Sequence, residues 1–481
     1  MINFYDIAYT FGLGAAAPVW AVRSKTRKKV LDAFVKRMGQ IEGPAKAGGH
    51  CVMLHAVSVG ELNAAAGLIK ALRERYPGVH LVISTTTDTG AERANALYGN
   101  DHDVTLIRYP LDFSLAVGRV LDGLKPQLVI LMELELWPNF MAACWRRNIP
   151  VMVANGRITE SSFRNFRIGS WLTRRMFRRL SAVAAQERAY ADRFITLGAP
   201  PEKVTVTGTM KFDTAPAGDT IPGAAELAEE MGLRDPLWIA GSTGPGEEQI
   251  VLDAYKTLLT DFPDLQLAVI PRKPERFDEV ATLIQQSGYS CIRRSKITTS
   301  DTVDRGTGFQ PVSSSTPENH GLETRATATQ NPYITPPSPK SQAPDPIILG
   351  DTMGELRKFY AAATVVFVGR TLVDLGEKQH GSDMIEPAAL GKPTIVGPFT
   401  GNFTEVMNAF RAAEAMVEIE NPAQLAETVA RLLRDPGEIG ARARATVTQQ
   451  RGATERTMGM IATLLPIEAS KENAREGSAG V

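Results

Sequence analysis

Short apolar runs alternate with segments of helical length along most of this chain, and the alternation starts twice. The runs "CVMLHAV", "VHLVIST", "QLVILM", "PVMVAN" and "AVAAQ" are separated by stretches long enough for helices. That rhythm is the signature of βα units around a parallel sheet. After the Pro-, Gly- and Ala-rich stretch 214–227 it begins again as "LWIAGS", "LQLAVI", "PIILG", "TVVFVG" and "PTIVG". The expected fold class is therefore α/β, with two doubly wound, Rossmann-like domains facing a cleft. At 481 residues and 43% hydrophobic content the chain is long enough for two or three domains with full-sized cores.

Residues 295–345 interrupt the second domain with Ser, Thr, Pro, Asn and Gln and almost no aliphatic clusters, which reads as a disordered insertion without a catalytic role. Nothing in the total charge argues for bulk nucleic-acid binding, since 53 basic residues balance 53 acidic ones, and any basic surface must be local. Cys51, Cys144 and Cys291 are scattered without metal spacing and read as reduced, buried thiols. At the N-terminus, "FYDIAYTFGLGAAAPVWAV" (4–22) is mildly apolar but carries Asp6 and Pro18, and "RSKTRKK" follows it. A spanning helix needs about 20 strongly apolar residues, so either a weak anchor or an ordinary packed helix is expected here.

The chemistry is expected at the carboxyl ends of the strands, where open α/β sheets gather ligands. The first apolar run passes through His55 and Ser58 to Gly60 and Glu61, just where a helix starts. The helix dipole favours an ionised Glu61, which could take a proton from a substrate hydroxyl. Ser58 followed three residues later by Glu61 is also a capping box, so the same carboxylate has a purely structural reading. "LMELELWPN" ends another run with Glu133 and Glu135, while "GTMKFD" offers Lys211 and "IPRKPERF" offers Arg272 and Lys273, cations suited to a phosphate. "GDTMGEL" and "GSDMIEPAALGKPTIVGP" each pass from a turn into a helix, the second carrying Glu386. Taken singly, each of these also reads as a turn or cap.

In their order and spacing, HAVSVGE, ELELWPN, NGR (155–157), GTMKFD, PRKPERF, GDTMGEL and the segment around Glu386-Pro387-Ala388 resemble the 3-deoxy-D-manno-octulosonic acid (Kdo) transferases of lipid A biosynthesis. The resemblance covers about residues 1–290 and 346–465. It implies a B-type glycosyltransferase fold and transfer of Kdo from CMP-Kdo, with inversion, to the tetraacyl disaccharide precursor of lipid A. It places the reaction at the cytoplasmic face of the inner membrane, with no cofactor or metal. By the same resemblance Glu61 would be the general base, and Glu133 and Lys211 would stabilise the transition state. Pro271 and Arg272, then Met353, Gly354 and Glu355, then Asp383, Met384, Ile385 and Glu386 would bind CMP. The domains would be a weak anchor at 1–22, an acceptor-binding domain at 23–213, a CMP-Kdo-binding domain at 228–465 and a flexible tail at 466–481. The chain departs from the family pattern at Gly244 and Lys273, where histidines are usual, and at Ser382 and Asp383, in place of His and Asn. About four extra residues in "DLGEKQ" precede this last motif.

One further stretch points to a lipid acceptor. On a single helix, "RNFRIGSWLTRRMFRRL" (164–180) puts Arg164, Arg167, Arg174, Arg175 and Arg178 on one face with Trp171, and Phe166, Leu172, Met176, Phe177 and Leu180 on the other. A basic stripe with a tryptophan suits a phosphorylated lipid surface, and a solvated face over a packed one is the plainer reading. Two other classes stay open at this level. A nucleotide-sugar epimerase would share the architecture without needing the stripe, and a catalytically silent membrane scaffold would keep the stripe without needing Glu61 or Lys211.

Overall fold

Seven parallel strands form the sheet of the first unit in the order β3-β2-β1-β4-β5-β6-β7. They are β1 Cys51–His55, β2 His80–Thr85, β3 Val104–Arg108, β4 Leu128–Met132, β5 Val151–Gly156, β6 Ala182–Ala185 and β7 Val204–Val206. Alternate residues of the inner strands go to opposite faces, as a pleated backbone requires. Met53, Val129 and Leu131 enter one apolar cluster, and Val52, Leu54, Leu128 and Ile130 enter the other. Both faces are covered, which is why these strands read as unbroken apolar runs.

This computed structural model describes residues 3–21, 34, 37–39, 50–215, 220–297, 345–376 and 380–466. Nearly all of the insertion expected at 295–345, and the expected tail after 466, lie outside the described residues. The chain divides into two compact units, residues 1–214 with 450–481, and 215–449. The first boundary falls in the Pro-, Gly- and Ala-rich stretch.

The second boundary departs from the expected domain 228–465, because the last helix, Ala453–Leu464, belongs to the first unit. Its Ala453, Met458 and Ile461 join the cluster of Leu68 and Leu72 on helix Val59–Arg75. The Asp213 carboxylate caps it, accepting from the backbone N–H of Gly452 (2.7 Å) and Thr454 (2.6 Å). Burial of one apolar face decides the unit here, not position in the chain.

The N-terminal helix, Phe4–Ala21, also packs on the first unit. Asp6 is buried and accepts from the Ser114 N–H (2.8 Å), the Ser114 hydroxyl (2.7 Å) and the Asn139 amide (3.1 Å). The Tyr9 hydroxyl donates to Asp112 at 3.1 Å. No helix among the described residues is long and apolar enough to cross a membrane.

The second unit repeats the design with β8 Leu237–Thr243, β9 Gln266–Pro271, β10 Cys291–Arg293, β11 Ile347–Leu349, β12 Val365–Val368, β13 Thr394–Val396 and β14 Val417–Glu418. Their order is β10-β11-β9-β8-β12-β13-β14, again all parallel. In each sheet the first strand therefore stands between the second and a later one. That reversal opens a crevice at the carboxyl ends of β1 and β4 in one unit, and of β8 and β12 in the other. Cys51 and Cys144 are buried and Cys291 half-buried, all three as free thiols.

Candidate active site

Glu61 and Glu133 follow the two strands that flank the crevice of the first unit. Glu61 both takes part in a capping box and faces a cavity. Ser58 is the N-cap of helix Val59–Arg75, its Oγ accepting from the Glu61 N–H at 3.4 Å, and Glu61 Oε2 in return accepts from the Val57 N–H at 2.8 Å. The Ser58 hydroxyl donates to the other oxygen at 3.1 Å. The same carboxylate lines a cavity of about 200 Å3 with Glu133, Glu135, Arg157, Thr159 and Ser162.

Burial and then the charge of Glu133 push the Glu61 carboxyl up to about 7, against the pull of Val57 and Ser58. The helix dipole, which favours a fully ionised group at neutral pH, is outweighed. The cap fixes the side chain while its neighbours raise its proton affinity. Glu133 has φ +57°, an uncommon left-handed backbone for a residue with a side chain. Trp137 donates its Nε1–H to Glu135 at 2.9 Å.

Lys211 does not line this cavity. It stands on the 3₁₀ turn Met210–Thr214, which packs against helix Val59–Arg75 and is tied to β5 by the Met210 N–H donating to Asn155 Oδ1 at 3.0 Å. His55 belongs to the core. It is fully buried, with its Nδ1 3.0 Å from the Ser84 carbonyl and its ring stacked 3.9 Å from that of Tyr109. Burial drives it down to about 3, so it is neutral.

In the second unit Arg272 follows β9, its N–H donating to the Thr243 carbonyl at 3.0 Å. Burial, then the charge of Asp383, push Glu386 up to about 7, with Arg357 and Arg272 opposing, so these residues share one neighbourhood. Met384 and Ile385 are fully buried, leaving only their backbone for a ligand. Asp383 accepts from the Ile385 N–H at 2.8 Å, so the start of that short helix carries its own anion. Glu355 is likewise engaged. Against the upward push of burial, Arg294, Thr352 and Lys358 hold it down to about 2. Met353 is exposed, and Gly354, at φ +85°, needs the left-handed backbone that glycine allows.

One residue absent from the sequence expectations organises this crevice. Glu247 is fully buried at the start of helix Glu247–Leu258. Its carboxylate accepts from four backbone N–H groups, those of Gly244 (2.8 Å), Arg370 (2.6 Å), Thr371 (3.0 Å) and Leu372 (2.9 Å). It thus joins the loop after β8 to the loop after β12. Ser242, near the end of β8, and Arg370, in the loop after β12, have φ of +56° and +60°. Together with Glu133 and Asn155 they put left-handed, non-glycine backbone at the carboxyl ends of strands in both units, where such strain commonly accompanies function. The Gly244 departure also has a physical reason. A Cβ there would stand 2.7 Å from Leu375 and 3.0 Å from Arg370, so the extra loop fills the room a side chain would need.

The basic stripe differs from expectation in its helix. Gly169 divides it into helices Glu160–Ile168 and Ser170–Phe177, so one helical wheel does not describe 164–180. The sorting by face nevertheless holds for the described side chains. Arg164, Arg167, Trp171, Arg174, Arg175 and Arg178 are exposed, while Met176, Phe177 and Leu180 are buried and Phe166 is half-buried. Leu172 lies outside the described side chains.

Two doubly wound units, each with charged side chains at the point where its strand order reverses, define the two-domain architecture of B-type glycosyltransferases and related nucleotide-sugar enzymes. A UDP-GlcNAc 2-epimerase from Neisseria meningitidis, in its crystal structure with UDP-GlcNAc, shares this fold with a TM-score of 0.51. The match covers 86% of this chain and 100% of that one at 12% identity, and it bears on fold alone. Residues 32–214 match the family model described as 3-deoxy-D-manno-octulosonic-acid transferase (kdotransferase). The chain is 31% identical over 415 residues to the 3-deoxy-D-manno-octulosonic acid transferase of Haemophilus influenzae, covering 85% of this chain and 86% of that protein. It is 31% identical over 419 residues to the enzyme of that name from Bordetella pertussis, covering 85% and 86%. The chain belongs to the Kdo transferase family, glycosyltransferases of lipopolysaccharide biosynthesis.

Proposed function

We propose that this enzyme moves Kdo from CMP-Kdo to a hydroxyl of the phosphorylated, tetraacylated disaccharide precursor of lipid A, at the cytoplasmic face of the inner membrane. The observation that carries the reading is a half-buried carboxylate, Glu61, held by its cap beside Glu133 and raised to about 7. A base is most useful when its pKa lies near the working pH. The acceptor oxygen attacks the anomeric carbon of Kdo from the face opposite the phosphate, and its proton passes to Glu61. The bond from that carbon to the phosphate oxygen breaks, CMP leaves with the electron pair, and the configuration inverts. Glu133 stabilises positive charge developing on the sugar ring, and Lys211 the negative charge on the leaving phosphate.

The donor falls to the second unit. Carboxylates at Asp383 and Glu386 suit ribose hydroxyls better than phosphate, since they accept hydrogen bonds and repel anions. The cations Arg272 and Arg370 suit the phosphate. Burial and then the charge of Arg272 lower the pKa of Arg370, as expected for two neighbouring guanidiniums awaiting an anion. Pro271, Met353, Gly354 and Glu355, with the backbone of Met384 and Ile385, complete the proposed CMP contacts. Attachment to the membrane is peripheral in this reading, through the exposed arginines and Trp171, 79% exposed.

Purified protein should release CMP from CMP-Kdo only when the lipid precursor is present. Release without acceptor would point to another nucleotide-sugar enzyme, and no release in either case to a scaffold. Because the base must be deprotonated, kcat/KM for the acceptor should climb about tenfold per pH unit below 7 and level off above it. A profile flat from pH 5.5 to 8 would remove Glu61 from the role.

Glu247 provides a test of the donor side. In Glu247→Gln an amide –NH2 faces backbone N–H groups, and a buried donor left unpaired costs about 1–3 kcal/mol. Displacement of the Arg370 loop should raise KM for CMP-Kdo roughly tenfold, more than it lowers kcat. An unchanged KM would show that the loop does not serve the donor.

A further inference from the structure

A second cavity of the first unit, about 290 Å3, lies against the N-terminal helix and has no part in the chemistry above. Ala8, Tyr9 and Gly12 form one wall, Leu111 and Phe113 another, and Trp137 a third. Asp112 also borders it, but its carboxylate accepts from the N–H groups of Asn139 (2.9 Å) and Phe140 (2.8 Å) and from the Tyr9 hydroxyl (3.1 Å). The polar groups of the wall are thus turned to one another. A ligand meets mainly carbon there.

Trp137 connects this cavity to the acid pocket. Its indole lines the apolar cavity, while its Nε1–H donates at 2.9 Å to Glu135, which lines the pocket of Glu61. One side-chain pair separates the two. Trp137 is 38% exposed, and on the same N-terminal helix Phe4, Ile7 and Phe11, at helical spacing, are 68%, 50% and 76% exposed. An apolar approach therefore runs beside an apolar cavity, next to the proposed base.

We propose that this cavity holds a fatty acyl chain of the acceptor whose hydroxyl stands at Glu61, an inference that rests on the lipid-acceptor reading above. A peptide in the same place would bring backbone amides that need partners, at a cost the wall does little to offset. An acyl chain needs none and gains from every methylene removed from water. The acid pocket would then select the hydroxyl, and the cavity would set the depth at which it arrives.

The test compares kcat/KM for the tetraacyl disaccharide phosphate and for its fully deacylated counterpart. The parent should prefer the acylated acceptor, and Ala8→Trp, which puts an indole on the cavity wall, should reduce that preference at least tenfold. In the parent, a diazirine-tagged acyl chain on the acceptor should cross-link to peptides containing Ala8, Phe113 or Trp137. Equal use of both acceptors by the parent would overturn the lipid-acceptor reading itself. A parent preference that survives Ala8→Trp, or cross-links confined to other peptides, would overturn the acyl site and leave that reading standing. Should Ala8→Trp fail to fold, the cross-links in the parent decide.

Discussion

Glu61→Gln is expected to lower Kdo transfer about 10²–10⁴-fold, the usual contribution of a general base, while CMP still binds. The amide keeps the size of the carboxylate, and its oxygen can still accept from the Val57 N–H, so the cap is largely retained. What is lost is the ability to take a proton. Stability separates this outcome from simple damage. The folded pKa of Glu61, about 7, lies above the ordinary carboxylate value of 4.5. Between those values the unfolded chain binds fewer protons than the folded one, so this group makes stability fall as pH rises from about 4.5 to 7. Glutamine has no such dependence. Relative to the parent, the variant's melting temperature should therefore be higher at pH 8 than at pH 5. A loss of transfer below about threefold would return Glu61 to a purely capping role.

The central strands are legible in the sequence because both faces of each sheet are covered, which leaves apolar runs with no polar alternation. The strands the apolar runs do not reveal are the four sheet edges: β3 and β7 in one unit, β10 and β14 in the other. β3 is half-buried throughout, and the other three are two or three residues long. Short, half-exposed strands leave too little apolar pattern to be seen. Helix Ala453–Leu464 is legible as a helix, but its unit is not, because the residues that cap and bury it, Asp213, Leu68 and Leu72, are hundreds of positions away.

The candidate site shows the same division. Glu61 and Glu133 stand out because carboxylates end apolar runs. Glu247 does not, since an acid in the first turn of a helix is ordinary and its acceptor role depends on Arg370, Thr371 and Leu372 in another loop. Gly244 and the extra residues after Val373 look like two separate departures in sequence. In space Leu375 occupies the room beside Gly244, and they are one feature. The helical wheel over 164–180 fails at Gly169, yet exposure still sorts most of its residues correctly, because Ser170–Phe177 buries Met176 and Phe177 while Glu160–Ile168 half-buries Phe163 and Phe166.

Replacing Arg167, Arg174 and Arg178 by Gln is expected to weaken binding to anionic vesicles by up to about 100-fold at low salt. Each basic residue near an anionic bilayer is worth about 1 kcal/mol, and about 1.4 kcal/mol is tenfold in affinity. All three are exposed. Charge near a surface is screened within about 10 Å at 0.1 M salt, so the deficit should shrink as ionic strength rises. KM for the lipid acceptor should rise with it, while affinity for CMP-Kdo, assigned to the other unit, stays the same. The apolar share needs a different variant. Removing the N-terminal helix would strip Asp6 from Ser114 and Asn139 and Tyr9 from Asp112, so a loss of binding could be a loss of fold. Ile168→Ala with Trp171→Ala avoids this, since these side chains are 86% and 79% exposed. That pair should weaken binding to neutral vesicles too, with little salt dependence, because its contribution is hydrophobic burial. Should the arginine variant bind anionic vesicles as tightly as the parent at low salt, the arginines are a solvated surface and the acceptor is held by its pockets alone.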